Sequence, residues 1–152
     1  MALYILILSM CMALVPSPDP VRRHGRLATA ISEVVSRRGS LFRRDEEGKK
    51  TAALLVAIAF RESTLMADAV GDHGSSFCAF QIHSSSGGSP ELCEDVEACA
   101  DRAYVMLKES MKIDPTNPVA FYARGPRFRS EEAVRISRDR MALANRLATI
   151  PF

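Results

Sequence analysis

Of the 18 acidic side chains in this chain of 152 residues, Glu62 has the most unusual setting. It stands just past the run TAALLVAIAF, residues 51–60, and Leu55, Ile58 and Ala59 lie one or two turns back on its own helical face. A carboxyl emerging from apolar surroundings is partly desolvated, and desolvation raises its pKa. A carboxyl that keeps its proton near neutral pH can act as a general acid. The plainer alternative is a helix-end glutamate in water, or one paired with Arg61. Asp68 and Asp72 follow in the next loop as possible second carboxylates, although Gly71 and Gly74 beside them also suit a purely turn-forming role. Ser63 can bond either the glutamate or the backbone at the helix end. His73 and His83 have a spacing that fits no helical zinc motif, so both are expected to be ordinary loop residues. No metal or cofactor is expected.

The four cysteines are Cys11, Cys78, Cys93 and Cys99. In an oxidising compartment one disulfide and one free thiol are expected from the last three. Cys99 falls on the apolar stripe of a predicted helix and Cys78 in an adjacent loop. Cys78–Cys99 is therefore the favoured pair, with Cys93 as the competing partner. Three reduced, buried thiols are the alternative.

These residues need elements to position them. The periodicity predicts a helix over 21–38, with Leu27, Ile31, Val34 and Val35 on one face, stopped by Gly39-Ser40. A second helix is predicted over 45–62; Asp45, Glu46 and Glu47 suit the positive end of its dipole, and its all-round apolarity means burial. Residues 63–90 are rich in Gly and Ser, with one short strand expected between Phe77 and Ile82. Ser89 and Pro90 start a helix running to about Met111, with Val96, Cys99, Ala103, Met106 and Leu107 inward. A short helix over 118–124 ends at Gly125-Pro126. Ser130 caps the last helix, with Ile136, Leu143, Ala144 and Leu147 inward. The arginines from Arg124 to Arg129, with Arg135, Arg138 and Arg140, read as solvated faces. The expected fold class is mainly α, an α+β domain whose buried central helix and small loop or β insert line a cleft.

Composition narrows the classes. With 47% hydrophobic and 25% charged residues, neither disorder nor a coiled coil fits. The charge runs +4 over residues 1–50, −6 over 51–100 and +4 over 101–152, an acidic middle that a nucleic-acid binder would not carry. Residues 1–15, MALYILILSMCMALV, hold no charged side chain and suit a signal peptide or membrane anchor. A buried N-terminal segment is the alternative. Pro16, Pro18 and Pro20 suggest a stiff linker, dividing the chain into 1–20 and a domain over 21–152.

The stretch AFRESTLMADAVGDHGSSFCAFQIH, residues 59–83, resembles the lysozyme-like lytic transglycosylases of the soluble-transglycosylase and goose-type-lysozyme superfamily. Glu62-Ser63 matches its Glu-Ser helix end, and Ala69-Val70-Gly71 with Gly74 matches its turn. Ala79-Phe80-Gln81-Ile82 aligns with the element written Gly-Leu-Met-Gln-Ile. Phe121-Tyr122-Ala123-Arg124-Gly125 is similar to its Ala-Tyr-Asn-x-Gly element. The resemblance spans about residues 45–147 and departs from the family at the glycine near Cys78 and at the Asn, here Ala123. It implies a peptidoglycan-cleaving enzyme with Glu62 as general acid and base, and Ser63, Gln81 and Tyr122 as substrate-binding residues. It further implies an exported or periplasmic monomer acting on glycan strands, with possible membrane contact through residues 1–15; a phage lysin also fits. A transglycosylase is favoured over a hydrolytic muramidase, which would need Asp68 or Asp72 across the cleft, and a non-catalytic peptidoglycan-binding protein of the same fold is the remaining alternative. The basic faces would also attract an anionic envelope.

Overall fold

A computed structural model describes residues 1–151 except the side chain of Glu46; Phe152, the end of the expected domain, lies outside the described residues, as does the dipole role expected of Glu46. The first helix, α1, is Ala2–Leu14, and α2 is Pro20–Arg38. The central helix, α3, is Lys49–Ser63. Three two-residue strands follow: β1 at Val70–Gly71, β2 at Ser76–Phe77 and β3 at Ile82–His83. The remaining helices are α4 (Pro90–Glu94), α5 (Val96–Ile113), α6 (Ala120–Arg124) and α7 (Glu131–Leu147). The protein is thus mainly helical with one small antiparallel sheet of order β1-β2-β3.

Every residue of α3 from 51 to 59 is buried, as its all-round apolarity requires. Ala52, Ala53, Ala57 and Ala59 have no side chain beyond Cβ, so neighbouring helices pack close. The largest of these contacts is with α7, and α1 and α2 also touch α3. The other side of α2 packs on α5.

The start of α3 differs from the expected one. Glu47 and Gly48 have φ of 61° and 71°, which breaks the helix before Lys49. A Cβ on Gly48 would stand 2.2 Å from a Val35 methyl, so both its conformation and its space require glycine. Asp45 is not in the first turn. Its carboxylate reaches forward and accepts from the Lys50 and Thr51 amides and from the Ser40 and Thr51 hydroxyls.

Residues 1–15 are arranged as the buried alternative. Leu6, Ile7, Met10 and Cys11 enter the common core, and the Val15 carbonyl is 2.8 Å from Nε2 of the buried His24. The three prolines do not space two units apart. Pro20 opens α2, and Asp19 caps it by accepting from the Arg22 amide. Among the described residues, no helix is long and apolar enough to cross a membrane.

Two further expectations are corrected in the middle third. The single strand between Phe77 and Ile82 is two strands joined by a tight turn, because Cys78 and Gln81 adopt φ of 69° and 48°. The helix from Pro90 is broken at Asp95, whose carboxylate caps α5 at the Ala98 amide. This break lays α4 against β2 and decides the disulfide. Cys78 is bonded to Cys93, not Cys99, with a Cα separation of 5.0 Å. Cys99 sits one helix later, buried and reduced, and desolvation pushes its thiol up to about 11.

Candidate active site

Glu62 occupies the last turn of α3, where the helix leaves the core and its side chain is 26% exposed. Thr64 and Leu65 then turn the chain with φ of 55° and 64°, and their amides bond back to the Phe60 and Ala59 carbonyls. The carboxylate points into a cleft of about 870 Å³. The sheet side of the cleft contributes Asp72, Gln81 and His83. The helical side contributes Met106 and Glu109 from α5, Tyr122 and Arg124 from α6, and Ile136 and Arg140 from α7.

The charge of Glu62 is set by opposing influences. Burial favours the protonated form most strongly; Arg140 opposes it by charge and hydrogen bond, Arg124 opposes it by charge, and Asp72 adds to it. The outcome lies above the usual glutamate value. Oε1 of Glu62 is 3.3 Å from Nη2 of Arg140. Arg61 does not pair with Glu62; it turns away to Asp139, at 2.9 Å.

Of the two loop aspartates, only Asp72 faces the cleft. It is exposed at the tip of the β1–β2 connection, and its Oδ2 accepts from the Ser76 hydroxyl. Asp68 is exposed and lies outside the cleft lining, so the structure does not bring it to Glu62.

The residues expected to touch substrate divide in the same way. The Ser63 hydroxyl is engaged with the Ala59 and Ala79 carbonyls at 3.0 and 2.8 Å, and accepts from the Met66 amide. It ties the end of α3 to the β2–β3 turn and does not line the cleft. Gln81 does line it. Its Nε2 donates to the carbonyls of Cys78 and Ala69, while Oε1 has no donor among the described residues. The backbone of Gly71 approaches that oxygen so closely that a Cβ there would stand 2.2 Å away. Tyr122 flanks the cleft but does not bond Glu62: its hydroxyl donates to the Phe80 carbonyl at 2.8 Å. Burial, helped by the charge of Glu62, raises that phenol further. Ser63 and Tyr122 therefore both grip the 79–80 turn.

His73 is exposed and outside the cleft; His83 is at its edge, with Nδ1 2.7 Å from the Ser85 hydroxyl. Among the described residues no three His, Cys, Asp or Glu side chains converge on a metal position.

Arg140 was expected on a solvated face, yet its side chain is only 16% exposed. The signal lies in the helical spacing: Ile136, Arg140, Leu143 and Leu147 follow one stripe of α7, so Arg140 interrupts an apolar face. Cys78 holds the left-handed conformation that glycine favours, and it is bonded to Cys93.

No family model matches this chain, and neither a curated protein nor a solved structure matches it.

Proposed function

We propose that the protein is a peptidoglycan lytic transglycosylase of the lysozyme-like class, cleaving the β-1,4 bond between N-acetylmuramic acid and N-acetylglucosamine. One observation carries this reading: a single half-buried carboxyl, raised above its usual pKa, stands in the last turn of the core helix and faces a cleft of about 870 Å³. The sequence elements around it, Gln81 and Tyr122 included, line the same cleft. In the reaction the protonated Glu62 gives its proton to the glycosidic oxygen as the C1–O bond breaks. The resulting carboxylate then takes the proton of the muramic 6-hydroxyl, and that oxygen closes on C1 as a 1,6-anhydro ring. Acid and base are one residue because the nucleophile belongs to the substrate. Oε1 of Gln81 is open to accept from a sugar hydroxyl or acetamide N–H.

A hydrolytic muramidase is the second reading, favoured only by Asp72 facing the same cleft. In either case the substrate is the glycan strand, the protein acts as a monomer at the cell envelope, and neither nucleic acid nor a metal takes part. Export to the envelope belongs to this proposal, with Leu6, Ile7, Met10 and Cys11 of α1 packed into the core of the described structure.

The test is digestion of purified sacculi by wild type and by Glu62→Gln, followed by mass spectrometry of the muropeptides. Anhydro-ended products from wild type alone support the transglycosylase. Reducing ends would move the assignment to the muramidase, with Asp72→Asn the next variant. Binding without cleavage by both proteins would overturn the enzyme and leave a peptidoglycan-binding domain.

A further inference from the structure

Four charged groups form an unbroken line that ends at the cleft with Arg140 and Glu62. Arg61 of α3 donates to Oδ1 of Asp139 at 2.9 Å. Oδ2 of Asp139 accepts from Nη1 of Arg140, also at 2.9 Å. Nη2 of Arg140 reaches Glu62 at 3.3 Å. The guanidinium is therefore held from one side and presented to the acid from the other. Its Nε is buried with no hydrogen-bond partner among the described residues, a cost that the α7 stripe bears to keep a cation at this position. A guanidinium placed merely for solubility would extend into water, as the Arg135 and Arg138 side chains on the exposed face do.

We propose that Arg140 is the positioning residue of Glu62: clamped by Asp139, it holds the acid against α7 through Oε1 and leaves Oε2 to meet the glycosidic oxygen. This rests on the reading of Glu62 as the acid. The contact also governs protonation. A cation within about 4–6 Å lowers a carboxyl pKa by about 1–3 units. It thereby limits how far burial raises Glu62, so that the same group can give a proton and afterwards hold a carboxylate long enough to act as base. The other charged groups that face Glu62 are Arg124 from α6 and Asp72 from the β1–β2 connection; Glu109 and Arg102 of α5, Arg127 after α6 and His83 of β3 line the cleft farther along. Arg61, on the same helix, is occupied by Asp139.

The test reads the ionisation of Glu62 directly. In full-length protein labelled with ¹³C at the glutamate carboxyls, Glu62 is identified by its loss in Glu62→Gln and titrated in wild type, Arg140→Gln and Arg140→Lys. The midpoint is expected to rise by about one pH unit or more in Arg140→Gln, and Lys is expected to restore at least half of the difference. The alkaline limb of kcat/KM on sacculi should move the same way, because a general acid is lost as pH rises through its pKa. If Arg140→Gln fails to fold, wild type and Glu62→Gln decide: the Arg140 side-chain ¹⁵N resonances should titrate with the Glu62 midpoint in wild type and should shift in Glu62→Gln. An unchanged Glu62 midpoint in Arg140→Gln, equal behaviour of the Gln and Lys variants, or Arg140 resonances indifferent to Glu62 would each overturn the proposal. A wild type that titrates as described but cuts no peptidoglycan would overturn the enzyme reading and leave the Arg140–Glu62 coupling standing.

Discussion

Replacing Cys93 by alanine opens the only covalent ring among the described residues, and the cost follows from the size of that ring. Cys78 and Cys93 are 15 residues apart. Chain entropy assigns a loop of that length about 3 kcal/mol of stabilisation through the unfolded state. With a urea dependence of about 1–3 kcal/mol per molar, the unfolding midpoint of Cys93→Ala should fall by roughly 1–3 M relative to oxidised wild type. The chain has no tryptophan, so helical circular dichroism is the suitable signal. Reductant should bring wild type down to the level of the variant and leave the variant unchanged. Cys99→Ala is the control: it removes a buried thiol at a cost of about 1 kcal/mol and should keep the response to reductant intact. The effect also reaches the cleft, because the Cys78 carbonyl accepts from the Gln81 amide. Unfolding of Cys93→Ala within about 0.5 M of wild type, or loss of the response to reductant in Cys99→Ala, would refute the stabilising role of the Cys78–Cys93 bond.

Two further outcomes are expected. Ser63→Ala strands the Ala79 carbonyl, while the Met66 amide keeps its bond to the residue-63 carbonyl; it should cost about 1–3 kcal/mol in a thermal melt and weaken the proposed cleavage through displacement of the 79–80 turn, and unchanged stability would argue against the tie. Asp101 is held down to about 2 by hydrogen bonds from Arg38 and Arg37, partly opposed by burial. A carboxyl depressed in the folded state gives stability that is present above its unfolded value, about 3.9, and is lost as pH falls toward 2. Asp101→Asn should therefore flatten the acid side of the stability curve between about pH 4 and 2; an unaltered acid transition would remove this link between α2 and α5.

Much of the helical frame was legible because its signals are local. Ser89 and Ser130 each cap the helix that the sequence assigns to them, at the Leu92 and Ala133 amides. The apolar run before Glu62 announced both the buried helix and the group that ends it. What could not be read depends on contacts far apart in sequence. Asp95 looked like one more acid in a helix start, and only its bond to Ala98 turns it into a cap that redirects α4 and moves the disulfide partner. Cys78 and Gln81 gave no sign of their left-handed backbone, since neither residue type favours it. Arg140 carried a readable signal in the α7 stripe, but its partner is 78 positions away. Ser63 and Tyr122 lie near the glutamate, as their positions suggested, while their hydroxyls serve the chain itself.

The contrast between α3 and the segment facing it has a kinetic meaning. The amides of a helix buried on every side exchange with solvent only when the whole molecule opens, whereas those of two-residue strands exchange through local fluctuation. Glu62 is carried by the helix expected to exchange slowest, and Asp72 by an exposed connection expected to exchange faster. For the glycan strand proposed above, the carboxyl that would meet the glycosidic oxygen is held by the core, and the side of the cleft free to give way is the exposed β1–β2 connection that carries Asp72.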